Sequence, residues 1–322
     1  MTNYVYMLLA FVVSLVITIL VMPSLIKYLH KIKFGQVERE EGLDSHKKKD
    51  GTPTMGGIVF VLVPILVCLF VYPKLFLDFR MLIVILAYVG YAIIGFIDDF
   101  IIVVKKNNEG LKPKLKFLMQ SILAIVFYLM YQSVAETTLW IPIFDVQIEL
   151  GILYFFFVFI MFTAESNAVN LTDGLDGLCA GTVLVALAPY IIFSVLQGNN
   201  ELSIFLVAIA GALLGYLKFN VHPAKIFMGD TGSLALGGLL AAVAMVLKQE
   251  LLLVIIGGLF VIETLSVVIQ VTSFKLTRKR VFKMAPIHHH FEMCGMSETK
   301  VVMMFYCIGF FLSILGLWLG VM

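Results

Sequence analysis

Apolar segments of membrane-spanning length follow one another along the whole chain, and they limit its possible folds more than any other feature. A transmembrane helix needs about 20 mostly apolar residues. Apolar runs and turn signals place spans near 3–28, 55–72, 81–103, 115–134, 151–164, 178–196, 203–219, 233–247, 251–273 and 299–321. With 61% hydrophobic and 14% charged residues, the chain has too little polar surface for a water-soluble globule. We therefore predict an all-α integral membrane protein with about ten transmembrane helices, in which residues 1–322 form a single domain.

Positive charge is distributed unevenly between the predicted loops. If the N-terminus is outside, most lysine and arginine residues fall on the inner side, in the ranges 27–49, 105–116, 218–225 and 275–300. The outer side holds Lys74, Arg80 and Lys248. Cytoplasmic loops of membrane proteins carry an excess of lysine and arginine. We therefore expect both termini outside and the active site on the cytoplasmic face, where all six histidines also fall.

Two adjacent carboxylates, Asp98 and Asp99, lie at the inner end of the third predicted span, between aromatic residues. One interpretation is that these are interfacial acids that simply end a helix. Ionisable residues at the edge of a span are costly, however, and usually have a function. A divalent metal ion or a proton transfer would explain the pair.

Polar side chains recur every three residues after the fifth predicted span, at Asn167, Asn170, Asp173 and Asp176. The fifth span is short, and one alternative is that its helix extends into this segment. In a helix, the spacing would place two amides and two carboxylates on one face. Helix capping and a glycine turn could explain one or two of these residues. The complete series points instead to a binding surface.

Asp230 lies in the glycine-rich run Phe227–Ser233, just before the eighth predicted span. Glycines allow backbone amides to approach a ligand, and a helix N-terminus favours phosphate. An exposed Phe227 could stack on a nucleotide base. The run lacks the ending of a Walker motif, and a simple capped loop is the alternative interpretation.

Two further inner loops combine positive or titratable side chains with distinctive sequences. The first places the lysine cluster Lys47–Lys49 before GTPTMGG at 51–57, although lysines on an inner loop are often only topology signals. The second contains three consecutive histidines within PIHHHFE at 286–292. Adjacent histidines do not converge on one zinc ion as spaced ligands do, so contacts with phosphate fit better. Together the inner loops outline a metal-assisted diphosphate site.

Five motifs therefore occur in order along the chain. They are GTPTMGG at 51–57, the pair Asp98-Asp99, NAVNLTDGLDG at 167–177, FMGDTGS at 227–233 and PIHHHFE at 286–292. In this combination the chain closely resembles the phospho-N-acetylmuramoyl-pentapeptide transferase family. The wider polyprenyl-phosphate N-acetylhexosamine-1-phosphate transferase superfamily shares the aspartate motifs, whereas GTPTMGG and the triple histidine indicate the muramoyl branch.

The resemblance implies Mg²⁺-dependent transfer of phospho-N-acetylmuramoyl-pentapeptide from UDP-MurNAc-pentapeptide to undecaprenyl phosphate. The products would be lipid I and UMP, in the first membrane step of peptidoglycan synthesis. The resemblance also implies a multi-pass protein of the bacterial inner membrane, with both termini periplasmic. Its partners would be the two substrates, the lipid bilayer and a second copy in a homodimer, and we expect no nucleic acid.

These observations lead to a set of predicted site residues. We predict catalytic roles for Asp98, Asp99, Asp230 and His289, with Asp98 deprotonating or orienting the acceptor phosphate. We predict that Asp230 and Asn170 hold Mg²⁺, because carboxylate and amide oxygens suit a hard cation. The predicted substrate-binding residues are Lys49, Thr54, Lys114, Asn170, Asp173, Gly174, Asp176, Asn220, Phe227, His288 and His290.

Two other functions are possible on the sequence. Another member of the superfamily would use a donor of the UDP-N-acetylglucosamine type. An ion-coupled transporter would use intramembrane acids as a relay, but the aspartates here map to the inner edge of the membrane rather than its centre. The sequence also leaves open whether transfer occurs in one step or through a covalent aspartate intermediate.

Overall fold

The computed structural model describes residues 2–31, 51–105, 110–135 and 137–322. These residues form a helical bundle with one small hairpin. The helices are α1 (Thr2–Lys31), α2 (Gly57–Val71), α3 (Phe79–Lys105), α4 (Pro113–Tyr131), α5 (Ile152–Thr172), α6 (Leu178–Leu196), α7 (Asn200–Asn220), α8 (Gly229–Val246), α9 (Glu250–Ile256), α10 (Gly258–Thr277), α11 (Ile287–Met293) and α12 (Glu298–Val321). The strands are β1 (Thr138–Ile141) and β2 (Val146–Glu149).

The helices confirm the predicted membrane architecture. Within the described ranges, nine helices are long and apolar enough to cross a membrane. The helix α2 has 15 residues and is shorter, but it is apolar and lies where the second span was predicted. The fifth helix continues to Thr172, so the extension into the asparagine-rich segment is confirmed.

The predicted ninth span is divided in the structure. The short helix α9 ends at Ile256, and α10 begins at Gly258. The prediction of one continuous helix over 251–273 was therefore wrong. Gly257 donates its N–H to Leu253 O at 2.7 Å and closes α9. Two consecutive glycines have low helix propensity and are a common place for a helix to bend or break.

The helix α8 lies at the centre of the bundle, where 89% of its residues are buried. It packs against α3 and α5. Glycine and alanine make up much of its sequence. Small residues let membrane helices approach closely, which is how such helices gain packing energy in lipid. A Cβ on Gly95 of α3 would overlap the backbone of Asp230, and one on Gly237 of α8 would approach Ser166 Cα to 2.5 Å. The aspartate end of α3 is thus held directly against the start of α8.

A β-hairpin at the other end of the bundle departs from the all-α prediction. Its strands are antiparallel, with Thr138 opposite Glu149 and Ile141 opposite Val146. The turn places Asp145 in the left-handed region at φ 47°. Alternating β-branched and aromatic residues on both sides of a turn favour strands, and this pattern was missed.

Gly95→Ala is expected to destabilise the bundle, because the added Cβ would meet the backbone of Asp230 and Thr231, which cannot rotate away. Overpacking of this kind costs about 1 to 3 kcal/mol, so the unfolding temperature in detergent should fall. Gly309→Ala is the matched control, since the nearest atom to its added Cβ is Val185 Cγ1 at 3.9 Å. Equal unfolding temperatures for the two variants would contradict the close packing of α3 on α8.

Candidate active site

Two motifs that are far apart in the sequence pair through their backbones beside α8. Phe227 donates its N–H to Pro53 O at 2.8 Å, and Gly56 donates its N–H to Phe227 O at 2.8 Å. Gly57 then donates to Met228 O at 3.1 Å. GTPTMGG and FMGDTGS therefore form one structural unit, and the Phe227 side chain is only partly buried within it.

Asp99 binds the N-terminus of α8 from the neighbouring helix α3. Its carboxylate accepts the backbone N–H groups of Asp230 and Thr231 at 3.0 Å each and the Thr231 hydroxyl at 2.6 Å. The first N–H groups of a helix have no partner within the helix, and a negative charge there is favourable. The carboxylate is buried at 5% exposure, so it is positioned to hold α8 in place rather than to contact a large substrate.

Asp230 lies where α3, α4, α5 and α8 meet, and it is the centre of the polar cluster. Asn170 Nδ2 donates to Asp230 Oδ1 at 2.7 Å and to Ser233 Oγ at 2.9 Å. The ammonium group of Lys116 makes an ion pair with Asp230 Oδ2. The structure therefore brings the two predicted metal ligands, Asp230 and Asn170, into direct contact.

Asp98 lies beside Asp230, on the same end of α3 as Asp99. Leu111 donates its N–H to Asp98 Oδ1 at 2.8 Å, which ties the start of the α4 segment to this carboxylate. Like charges this close repel unless a cation lies between them. Among the described residues, Lys116 supplies positive charge to both Asp98 and Asp230.

Lys116 was not predicted, whereas Lys114 was. Lys114 is exposed in the first turn of α4, and its role in holding the acceptor stays a prediction. Lys116 and Gln120 lie four residues apart, on one face of an otherwise apolar helix. Gln120 Oε1 accepts a hydrogen bond from Asn167 Nδ2 at 2.9 Å. That spacing is a signal in the sequence that could have identified Lys116 as the inward-facing lysine.

The four polar residues of NAVNLTDGLDG do not share one helical face, so that prediction was wrong. The helix α5 ends at Thr172, and the chain then turns through Gly174 to Gly177, which has φ +81°. Asp176 is buried and accepts hydrogen bonds from the Ala224 N–H at 3.0 Å and from the His222 ring at 2.9 Å. The glycines that made a turn an alternative in the sequence end the helix before Asp173 and Asp176.

Asn220 joins the same two loops. Its Nδ2 donates to Ile226 O at 2.9 Å, and its Oδ1 accepts the Gly177 N–H at 3.0 Å. Together with Asp176, it fixes the segment that leads to Phe227. These contacts give both residues a structural role in this segment, and their contacts with the donor stay a prediction.

The three histidines lie on the short helix α11 and have different surroundings. His288 is fully buried, and its Nδ1 is 3.0 Å from Glu263 Oε1 on α10. His289 Nδ1 is 2.9 Å from Glu292 Oε2. His290 Nδ1 accepts the Lys283 N–H at 3.1 Å. Glu263 gave no motif signal, because it is a single acid within an apolar span.

The remaining predicted residues fall around this cluster. Thr54 is buried at 7% exposure, beside Gly229 at the start of α8. Asp173 is partly buried at the end of α5, and Gly174 packs against the His288 ring. Lys49 lies outside the described residues.

Comparison with known proteins agrees with this geometry. The model of Glycosyl transferase family 4 matches residues 81–248, which include the Asp98-Asp99 pair and the start of α8. The Phospho-N-acetylmuramoyl-pentapeptide-transferase signature 1 matches residues 49–61, the segment that pairs with Phe227. Phospho-N-acetylmuramoyl-pentapeptide-transferases of Bacillus thuringiensis strain Al Hakam and Bacillus cereus strain AH187 are each 53% identical over 311 residues, covering 96% of both chains.

The chain belongs to the phospho-N-acetylmuramoyl-pentapeptide-transferase family. It is a transferase and a multi-pass protein of the bacterial inner membrane. The family resemblance drawn from the five motifs is confirmed. Within this transferase, the two regions that the comparisons single out meet where Gly56 and Gly57 donate their N–H groups to Phe227 O and Met228 O.

Asp99→Ala is expected to lower the free energy of unfolding by about 1 to 3 kcal/mol for each buried donor that it leaves unpaired. The reason is that the N–H groups of Asp230 and Thr231 would lose their acceptor. Asp78→Ala is the comparison variant, because Asp78 is exposed and accepts one bond, from Met81 N–H. Unfolding in detergent measures both, and an equal or smaller loss for Asp99→Ala would contradict its anchoring role.

Proposed function

We propose that this transferase moves phospho-N-acetylmuramoyl-pentapeptide from UDP-MurNAc-pentapeptide to undecaprenyl phosphate, giving lipid I and UMP with Mg²⁺. One observation carries the proposal: Asp98, Asp230, Asn170 and Lys116 converge at one end of a membrane-embedded bundle. A lipid-linked acceptor and a water-soluble nucleotide sugar can meet only at such a membrane edge. The names of the relatives support the same donor group.

The site is proposed to face the cytoplasm, with both termini periplasmic. Most lysine and arginine residues flank the helix ends near the aspartate cluster, whereas Lys74, Arg80 and Lys248 belong to the other end. Positively charged loops remain in the cytoplasm. UDP-linked sugars are soluble nucleotides, so this orientation gives them access to the site. A homodimer is a further proposal that rests on the family resemblance alone.

The donor set at Asp230 fits Mg²⁺. Mg²⁺ prefers carboxylate and other oxygen ligands and retains several waters. Asp230 is partly exposed and supplies carboxylate oxygens, whereas Asn170 contacts it through Nδ2, so the Asn170 amide would turn to offer its oxygen to the ion. Two neighbouring carboxylates also form a site that needs positive charge. Asp230 and Asn170 would hold the ion, with Asp98 nearby. When bound, Mg²⁺ neutralises diphosphate charge and stabilises the leaving phosphate.

The side chains of this protein have separate proposed roles. Asp98 orients the acceptor phosphate, whose oxygen forms a bond to the sugar-linked phosphorus of the donor while the bond to UMP breaks. A phosphate monoester has a second pKa near 6, so the acceptor is largely ionised at neutral pH and positioning contributes more than proton removal. Lys116 balances the negative charge that gathers there, and Asp99 keeps α8 aligned.

The donor is proposed to lie along the loops that Asp176 and Asn220 fix. The uracil stacks on the partly exposed ring of Phe227, an interaction worth about 1 to 3 kcal/mol per base. Thr54 and Gly174 border the same region. Contacts of Lys49, Asp173, His289 and His290 with the donor complete the proposed pocket.

The test is a transfer assay with purified protein, labelled UDP-MurNAc-pentapeptide, undecaprenyl phosphate and Mg²⁺. Label should become lipid-extractable, and Asp230→Asn should abolish this product while the protein remains folded. Asp145→Asn, in the hairpin turn at the other end of the bundle, is the control for a neutralised aspartate. Product formation by Asp230→Asn at the normal rate would remove the metal assignment.

The same assay distinguishes the direct attack from a covalent intermediate. Direct attack requires the acceptor before UMP appears. Stoichiometric UMP release from protein and donor alone, with label trapped on an aspartate, would refute it.

Substitution of Lys114 or Lys116 on α4 by methionine tests which of the two lysines contributes to transfer. Lys116→Met should lower kcat/KM about tenfold to a hundredfold, because a hydrogen bond to a charged group contributes about 1.5 to 3 kcal/mol. Lys114→Met should have the smaller effect, since Lys114 is exposed at the start of the helix. The reverse order of the two losses would assign the acceptor phosphate to Lys114.

A further inference from the structure

Glu263 and His288 form a buried pair that connects α10 to α11. Both side chains are at 0% residue exposure, and Glu263 Oε1 lies 3.0 Å from His288 Nδ1. A buried carboxylate is costly unless a partner compensates for its lost hydration. Glu263 Oε1 and His288 Nδ1 are therefore hydrogen-bonded to each other.

The second polar atom of each side chain is not accounted for. Glu263 Oε2 and His288 Nε2 have no hydrogen-bond partner among the described residues. Buried polar atoms without partners are rare in folded proteins, and each one calls for an explanation such as a bound ligand or a role in catalysis. His288 Nε2 is buried beside the predicted substrate loop, which suggests that the ring contributes to the function of that loop.

The direction of His288 Nε2 is set by Gly174. A Cβ at position 174 would overlap this nitrogen, so the imidazole edge lies directly against the glycine backbone. Gly174 belongs to the loop that continues to Asp176, whose carboxylate accepts the Ala224 N–H three residues before Phe227. His288 Nε2 therefore packs against the turn that leads to Asp176, on the side where the donor is proposed to bind.

The hydrogen bond to Glu263 determines the tautomer and the orientation of the His288 ring. An ionised carboxylate only accepts hydrogen bonds, so Nδ1 of His288 carries a proton when it is paired with Glu263. The partner of one imidazole nitrogen determines the tautomer and the orientation of the other. Glu263 thus holds the ring with Nε2 turned toward Gly174.

We propose that Glu263 is a positioning residue of the transferase, which orients His288 so that its Nε2 edge supports the Gly174 turn on the side where the nucleotide-sugar donor is proposed to bind. This inference rests on the proposed function, because the donor is the ligand that it invokes. Glu263 itself does not touch the substrate. Its effect on turnover should therefore pass entirely through His288.

Glu263→Gln in the full-length protein is the first test. It keeps the size of the side chain and removes the carboxylate. The expected result is a loss of about tenfold to a hundredfold in kcat/KM for the donor, by analogy with the loss when the hydrogen-bond partners of metal-bound histidines are removed. Glu165→Gln is the matched control: Glu165 is a glutamate on α5 with 6% exposure, and its Oε1 also has no hydrogen-bond partner among the described residues. It should retain the activity of the parent.

A double-mutant cycle separates positioning from a general structural effect. Glu263→Gln should add no further loss in a His288→Ala background, measured both as kcat/KM and as the affinity of detergent-purified protein for UDP-MurNAc-pentapeptide. Equal losses in both backgrounds would overturn the proposal, as would parental activity in Glu263→Gln. If Glu263→Gln fails to fold, Glu263→Met, which also removes the carboxylate at a similar size, takes its place in the same cycle and the same criteria apply.

The controls keep this inference distinct from the proposed function. Lipid-linked product from the parent and from Glu165→Gln shows that the transferase assay works. With both active, a normal Glu263→Gln rejects only the role of Glu263. If neither the parent nor Glu165→Gln forms product from this donor, the proposed function itself is rejected.

Discussion

The start of α8 is held by a carboxylate from a different helix, and the geometry of the site depends on that contact. Asp99 accepts three hydrogen bonds from Asp230 and Thr231, while Gly95, one turn earlier, lets the two backbones meet. In lipid, apolar side chains give little drive for helices to associate, so close backbone packing and buried hydrogen bonds take that role. The position of Asp230 is thus determined by the packing of α3 on α8.

Charge balance follows from this packing. Once Asp98 and Asp230 lie side by side, the cluster needs positive charge, and Lys116 extends from α4 to provide it. A divalent ion would meet the same need during turnover. Ion pairs of this kind keep a polar site intact at the edge of an apolar bundle, and they leave it open to an anionic substrate.

Hydrogen bonds tie the loops around the cluster to one another. Asp176 and Asn220 join the segment after α5 to the segment before α8, and Pro53 binds the backbone of Phe227. A donor pocket built from these loops would be shaped before the substrate arrives, which would lower the entropic cost of binding. The Glu263–His288 pair adds a third connection, from α10 to the Gly174 turn.

The sequence by itself determined the apolar spans, the family and most of the residues that meet at the site, since hydropathy and the aspartate motifs are local properties of the chain. It did not determine the break at Gly257, the hairpin pairing or the end of α5 before Asp173. It led to the prediction of Lys114 rather than Lys116, and it did not reveal Glu263 as the partner of His288. Those outcomes depend on which side chains face one another across different helices, and only the packed bundle decides that.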